Sequence, residues 1–370
     1  MTEGSVVPAS GSTVTGQESF GRHESMSAQP TVPDAHRFLT LDLLRGIAAI
    51  SVLLVHIGYL GGYRWLAPLG YLAVDLFFMM SGLVIGYAYE RKLLDGMRWC
   101  SFMAVRIARL YPALFLGALI GLGVQVWLHG TSGIGLHSLG QFFLVPDFTS
   151  PLLFPLNGVI WSLFLELIVN AAHAAAVRRL STSRLAIVTI ACGIAWAWIA
   201  GSTGNWGGGG NWSTLAGGFA RIGWSYGAGL LLYRLIVAGR LRPPAFPAIW
   251  PIGATFFLLM TPRFGAMVPR IGATLFLLFP IVVLLATHAR LLPAARRLAR
   301  WLAALSYPLY AVHYPLLLVA ADSIGARSGA AALWALTAAA IMLFATIAAY
   351  LYEAPARKWL RSRLRQPAGV

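Results

Sequence analysis

The sequence predicts an all-α, polytopic membrane protein, a bundle of about ten transmembrane helices with both termini in the cytoplasm. Of its 370 residues, 58% are hydrophobic and 11% are charged, about half the charge of an ordinary soluble domain. The mean hydropathy is +0.71. Apolar runs of roughly 17 to 25 residues, the length that spans a bilayer, recur from about residue 38 almost to the end of the chain.

Three segments follow from this pattern. Residues 1–36 are rich in Ser, Gly, Thr and Pro, and they have neither the length of apolar sequence for a span nor the basic start of a signal peptide. We expect them to form a disordered cytoplasmic tail. Residues 37–355 form the transmembrane domain, and residues 356–370 a basic cytoplasmic tail. The predicted spans are 38–59, 66–89, 103–128, 157–177, 184–201, 213–236, 247–262, 270–288, 299–320 and 329–353.

Lys and Arg concentrate in alternate loops. Under the proposed topology the outer loops hold only Arg64, Arg263, Arg270 and Arg327, whereas the inner loops and the C-terminal tail hold twenty basic residues. This is the positive-inside pattern, and it indicates a multi-pass protein of the cytoplasmic (inner) membrane. Topology and contact with anionic lipids explain most of the +16 net charge. Nucleic acid is not a predicted partner, because the basic residues do not cluster with aromatics on one soluble face.

The first span carries ionisable residues at both ends. Arg45 and His56 are eleven residues apart, close to three helical turns, so they share one face about 16 Å apart. Asp42 is interpreted as a helix cap or a local partner of Arg45. In the second and fourth spans Asp75 and Glu166 lie at a similar depth, and the charge of Asp75 favours His56 as its neighbour. Ionisable residues at membrane depth normally face a protein interior or a water-filled cavity.

Two further residues complete the predicted cluster. Arg221 lies within the sixth span and His313 within the ninth, at compatible depths. Convergence of these side chains on a polar cavity costs less than exposing them to lipid. The alternative for each is a hydrogen bond that only joins two helices, and for Asp75 a helix-pinning role.

A basic pair is predicted at the inner surface, where Arg106 and Arg109 stand at i,i+3 on one helical face. Guanidinium groups suit multidentate phosphate binding; the alternative is a purely topological role. Glu353, at the inner end of the last span, is interpreted as an i,i+4 partner of Arg357. Cys100 and Cys192 are too few for a disulfide framework or a metal cluster, and no metal is predicted.

Several stretches together resemble the acyltransferase 3 family of integral membrane acyltransferases. They are RFLTLDLLRGIAAISVLLVH, in which Arg45 and His56 fit an Arg/Lys-x10-His motif, then VDLFFMMSGLVI, RIARLYP, WSLFLE, LSYPLYAVHYPL and a terminal YEAPAR. They occur in the family's order over roughly residues 37 to 360. No single motif is specific, but the set is.

The resemblance implies transfer of an acyl group, acetyl being the family's commonest, from acyl-CoA on the cytoplasmic side to a hydroxyl of a carbohydrate, glycolipid or natural product. It implies that His56 is the catalytic histidine and that Arg106 and Arg109 bind the CoA side. Acyl-CoA is a substrate here, and no permanently bound cofactor is expected. The acceptor, the acyl length, the side from which the acceptor binds and the oligomeric state are left open.

We hypothesise that His56 is the general base, oriented or tuned by Asp75 or Glu166. Arg45, with Arg221 and His313, is assigned to binding the donor or balancing the charge of the cavity. An alternative makes His56 a transient acyl carrier. A rival function is a proton-coupled transporter or flippase of a glycan or lipid, because buried His, Asp, Glu and Arg also build proton relays.

Overall fold

A computed structural model describes residues 38–131, 134–261, 267–325 and 330–365. It confirms an all-α membrane bundle, to which one pair of two-residue strands is added. The predicted N-terminal tail 1–36, Arg263 and Arg327 lie outside the described residues. The helices are α1 Leu39–Leu60, α2 Ala73–Ile85, α3 Arg91–Leu94, α4 Trp99–His129, α5 Leu136–Gly140, α6 Ile160–Ala176, α7 Thr182–Thr203, α8 Leu215–Val237, α9 Ile249–Met260, α10 Met267–Ala273, α11 Phe279–His288, α12 Ala295–Ile324, α13 Ala331–Ala348 and α14 Ala354–Arg365. The strands, β1 Phe246–Pro247 and β2 Ala289–Arg290, pair in parallel.

Seven helical segments of the described chain are long and apolar enough to cross a membrane: Leu39–Leu60, Gly70–Leu94, Trp99–His129, Thr182–Thr203, Met267–His288, Ala295–Ile324 and Ala331–Leu364. Two shorter apolar helices, α6 and α9, and the Gly- and Arg-containing α8 overlap the other three predicted spans. The chain is therefore a multi-pass membrane protein. The count of ten spans and the cytoplasmic placement of both termini stay predictions.

Two packing arrangements position the interior side chains. α1 packs along α12, and α2 packs along α8, with α4 and α13 also against α12. The α2–α8 contact is close because two glycines lie in it. A Cβ at Gly82 would collide with the carbonyl of Tyr226, and one at Gly229 with the carbonyl of Met79. Small residues that let backbones approach are the usual means of helix association in membranes.

The prolines of α12 do not break it. Pro308 and Pro315 lie within this span, yet the helix runs from Ala295 to Ile324. Proline cannot donate to the carbonyl four residues earlier, so Pro315 leaves the carbonyl of Ala311 without its helical partner. The side-chain amide of Asn157 donates to that carbonyl at 2.7 Å. A side chain from the segment before α6 therefore compensates for the proline, as membrane helices require.

Two π-helical segments end on buried glutamates. Gly86–Glu90 links α2 to α3, and Ala349–Glu353 links α13 to α14. Such segments are rare and often occur at functional sites. The second one leads directly into α14, so the predicted C-terminal tail is helical as far as Arg365.

Candidate active site

A cavity of about 360 Å³ lies among α1, α2, α4, α6, α12 and the segment that joins α13 to α14. Its apolar wall comes mainly from α2 and from the alanines of α12. Its polar lining residues are Asp42, Arg45, Ser81, Arg106, Arg109, Ser162, Glu166, Ser306, Tyr307, Tyr310, Glu353 and Arg357. A charged cavity inside an apolar helix bundle is the arrangement that the ionisable residues of the sequence predicted.

Four guanidinium groups and three carboxylates face this cavity. Arg106 is almost fully buried and donates from Nη2 to Glu166 Oε1 at 2.8 Å. Arg109, three residues further along α4, is half-buried in the same wall. Arg45 lies 3.4 Å from Asp42, as one of the two interpretations of Asp42 proposed. Because arginines outnumber carboxylates, the cavity suits an anionic ligand with several acceptor oxygens.

Some polar atoms in the cavity wall lack partners among the described residues. Arg106 Nε and the hydroxyl of Tyr307 are buried without a hydrogen bond there. Buried polar groups are nearly always satisfied by protein, water or ligand. Both atoms have almost no accessible surface, so a molecule in the cavity would reach them only after a movement of the side chains.

A pair of histidines lies just beyond the end of the cavity that Tyr310 lines. His313 Nε2 is 3.2 Å from His56 Nδ1, and the ring centroids are 5.1 Å apart. Tyr310 lines the cavity, and its ring contacts that of His313 at a centroid distance of 5.8 Å. Three residues of helix separate Tyr310 from His313, a rise of about 4.5 Å. One aromatic ring thus stands between the cavity and the histidines.

Tyr310 is held in this position by other residues. Its hydroxyl is 2.6 Å from the hydroxyl of Ser162, and its ring packs edge-on against Phe77 with centroids 5.7 Å apart. Tyr310 and Phe77 both line the cavity, and Tyr310 also contacts His313; we call this pair of rings the aromatic septum. His56 is partly exposed, and the ring of Tyr314 lies against it at 5.2 Å.

Asp75 is not the neighbour of His56, contrary to the sequence-based expectation. Arg221 donates to both of its carboxylate oxygens, at 2.8 Å from Nε and 2.7 Å from Nη2, and Ser225 donates to it at 3.2 Å. Both charged residues are 1% exposed. The physical reason is that a buried carboxylate needs a partner of opposite charge, and the fork of a guanidinium supplies two parallel hydrogen bonds.

Glu166 is also engaged elsewhere. One oxygen accepts from Arg106 and from the hydroxyl of Ser81 at 2.7 Å. The described hydrogen bonds of His56 go instead to Val52 and His313. The predicted five-helix cluster therefore separates into three groups: a histidine pair, an arginine-rich cavity that contains Glu166, and a closed ion pair.

The structure contains a further group of buried polar residues, which the sequence analysis did not predict. Arg234 donates to Glu90 at 2.6 Å and to the carbonyl of Leu180, and His173 bonds to the hydroxyl of Tyr226 at 2.8 Å. His173 Nε2 lies 3.9 Å from Glu90 Oε2. Sequence analysis treats Arg234 as one of the inner-loop charges. Glu90, the acidic residue of GYAYERK, indicated that a buried basic partner was needed, and that partner is Arg234. Tyr310, Ser81 and Ser162 gave no signal, because neutral hydroxyls are common in membrane helices.

Fold and site together define a class, a helical membrane enzyme or transporter with an arginine-lined interior cavity and a histidine pair at its end. The sequence model of the acyltransferase 3 family, described as an acyltransferase domain, matches residues 38–354. The chain belongs to this family and is a membrane acyltransferase. It is also similar to "Protein 2 in picA locus" of Rhizobium radiobacter, with 36% identity over 161 residues that cover 37% of this chain and 81% of that protein. No solved structure matches the chain.

Proposed function

We propose that this protein transfers a short acyl group, acetyl in the simplest case, from acyl-CoA at the cytoplasmic face of the inner membrane to a hydroxyl of a carbohydrate, glycolipid or natural product. One observation carries the proposal. The same two helices, α1 and α12, supply wall residues of an arginine-lined cavity and, further along, the two histidines at its outer end.

The cavity fits the donor better than the acceptor. CoA carries several phosphate charges, and an oxygen-rich anion matches the guanidinium groups of Arg45, Arg106 and Arg109. The unpartnered Arg106 Nε and the Tyr307 hydroxyl are buried donors that a carbonyl or phosphate oxygen would satisfy once their side chains turn towards it. The excess of arginine also offsets the desolvation of the anion.

The chemistry follows from His56 acting as the base. Its imidazole takes the proton of the acceptor hydroxyl while the oxygen attacks the thioester carbonyl. The carbonyl oxygen becomes a tetrahedral oxyanion, which requires hydrogen-bond donors beside His56. When the C–S bond breaks, the thiolate takes the proton from the imidazolium, so protons balance and the products are the ester and free CoA. For His56 to reach the reacting atoms, the thioester passes the aromatic septum, a motion of the kind that often accompanies substrate binding.

The contacts change the roles proposed for two residues. Asp75 and Arg221 were assigned to catalysis and substrate binding from their depth, but Asp75 accepts from Arg221 and from the Ser225 hydroxyl. Arg221 donates to Asp75 and to the backbone carbonyls of Tyr71 and Gly208. We assign them a structural role. Glu166 acts in the proposal by holding Arg106 in the cavity wall, and family membership favours the enzyme over a transporter.

The test is transfer of label from [14C]acetyl-CoA to membranes or to a glycan extract of the source cells, with the full-length protein reconstituted in lipid. His56→Ala should abolish acceptor labelling and acceptor-dependent thiol release. His129→Ala, on an exposed position at the end of α4, is the matched control and should label as the parent does. Equal labelling by His56→Ala would overturn the assignment of the base.

A further inference from the structure

We propose that His313 is a positioning residue: it holds the proton of His56 on Nδ1 and so presents Nε2 of His56 as the proton acceptor. This inference rests on the proposed function, because it explains how the base is prepared. Its carrying observation is the chain of hydrogen-bonding atoms that runs from the backbone of α12 through His313 to His56.

The first link fixes the hydrogen on His313. Its Nδ1 lies 2.9 Å from the carbonyl of Tyr310 and 3.0 Å from the carbonyl of Leu309. A carbonyl oxygen only accepts, so Nδ1 carries the hydrogen. His313 is fully buried, and its described partners include no carboxylate that would compensate an imidazolium. In the neutral ring Nε2 then holds a lone pair and can only accept.

The second link fixes the hydrogen on His56. Its Nδ1 faces two acceptors, the Val52 carbonyl at 2.8 Å and His313 Nε2 at 3.2 Å. Two lone pairs aimed at one nitrogen require a hydrogen there, so His56 is the Nδ1–H tautomer. Nε2 of the neutral ring is left with its lone pair, the atom that a general base needs.

His313 would act as the orienting group does in a hydrolase triad, but without a charge. The Val52 carbonyl belongs to the same helix as His56, one turn earlier, whereas His313 contacts His56 from α12. When His56 is protonated at Nε2, the lone pair of His313 also accepts from the imidazolium. Removal of a partner that orients a functional imidazole typically lowers activity by about 10- to 100-fold.

The test compares three substitutions in the full-length protein, with the labelling assay above. His313→Gln places an acceptor oxygen near the Nε2 position, His313→Asn places its amide near the Nδ1 position, and His313→Phe retains only the ring shape. We expect Phe and Asn to lower kcat by about 10- to 100-fold with an unchanged KM for acetyl-CoA, and Gln to recover a large part of kcat. Equal losses for all three, or a change confined to KM, would overturn the proposal.

A second measurement does not depend on activity or on any variant at position 313. The ¹⁵N chemical shifts of the histidine rings in ¹⁵N-histidine-labelled protein distinguish protonated from unprotonated ring nitrogens, and His56→Ala assigns the His56 signals. The proposal requires Nδ1 to be protonated and Nε2 unprotonated at neutral pH. The opposite tautomer would refute the role of His313 even if His56 proves to be the base, whereas a fully active His56→Ala variant would refute the proposed function itself.

Discussion

Two carboxylate–arginine pairs lie inside the same bundle, and because their surroundings differ we assign one a structural role and the other a role in ligand binding. Asp75–Arg221 and Glu166–Arg106 are both interhelical, with closest N–O distances of 2.7 and 2.8 Å. The side chains of the first pair are each 1% exposed, whereas Glu166 is 14% exposed at the edge of a cavity. Pairing alone therefore does not separate a structural charge from a functional one.

The difference lies in the hydrogen-bonding capacity that remains. Around the first pair, Arg221 also donates to the carbonyls of Tyr71 and Gly208, and Ser225 donates to Asp75. This group joins α2, α8 and the glycine-rich loop 204–211 between α7 and α8, and its hydrogen bonds are made within the protein. Around the second pair, Arg106 Nε has no partner in the part of the chain that the structure describes, and Arg109 lines the same wall. This group is open to a ligand.

The largest effect is expected where the closed pair is broken. Asp75→Ala leaves the guanidinium of Arg221 buried without its counter-charge, which should cost about 3–5 kcal/mol of folding stability. We expect low yield and a strongly reduced midpoint of thermal unfolding in detergent. The double change Asp75→Leu with Arg221→Met should recover much of that stability, because it removes both charges. A stable Asp75→Ala variant that has lost only its activity would contradict the structural role.

Substitution of an arginine that lines the cavity should weaken ligand binding without changing the stability of the fold. Arg109→Gln removes a guanidinium that faces the cavity, and it should raise the KM for acetyl-CoA by about 10- to 100-fold, the equivalent of a charge-assisted hydrogen bond of about 1.5–3 kcal/mol. The midpoint of thermal unfolding in the absence of donor should stay near that of the parent. Arg240→Gln, an exposed arginine of the loop after α8, is the control. An unchanged KM would assign Arg109 to membrane topology.

The aromatic septum should set the length of the acyl group. Tyr310→Ala removes the ring between the cavity and His313, so the ratio of rates with hexanoyl-CoA and acetyl-CoA should rise by about tenfold, the scale of discrimination in apolar pockets. Tyr310→Phe is the matched control, since it keeps the ring and loses only the hydroxyl, with its bonds to Ser162 and to the Val159 carbonyl. A ratio that does not change in Tyr310→Ala would show that the acyl group does not pass this ring.

The smallest effect on donor binding is expected at the rim of the cavity near the start of α14. Arg357 is one-third exposed and lies 3.2 Å from Glu353, a buried carboxylate four residues earlier. Arg357→Ala should change the KM for acetyl-CoA by less than about threefold, and because it leaves Glu353 buried without its charged partner, it should lower the midpoint of thermal unfolding. A loss as large as that of Arg109→Gln would show that the anionic end of the donor binds at the rim.

The sequence predicted the depth of the polar residues but not their partners. The length and hydropathy of the apolar runs located helices over all ten predicted spans, and the eleven-residue spacing predicted that Arg45 and His56 share one face of the first span about 16 Å apart. The depth of a residue along its helix, however, does not determine which neighbouring helix its side chain faces. Asp75 lies at a level that suits either His56 or Arg221, and the close α2–α8 contact at Gly82 and Gly229 puts it beside α8.

Two other features depend on neighbours that no local pattern encodes. α12 stays continuous at Pro315 because Asn157, more than 150 residues earlier in the chain, satisfies the carbonyl of Ala311. The aromatic septum depends on Tyr310 and Ser162, whose hydroxyls meet only when α6 packs near α12. Such contacts follow from the order of helices around the bundle, which hydropathy does not specify.

The most direct test of the account is calorimetric titration of CoA into the full-length protein in lipid nanodiscs. The account predicts saturable binding by the parent protein and by the Asp75→Leu, Arg221→Met double variant, with an affinity at least about tenfold weaker for Arg109→Gln. Equal affinity of Arg109→Gln and the parent would contradict it, as would loss of binding in a double variant that remains folded.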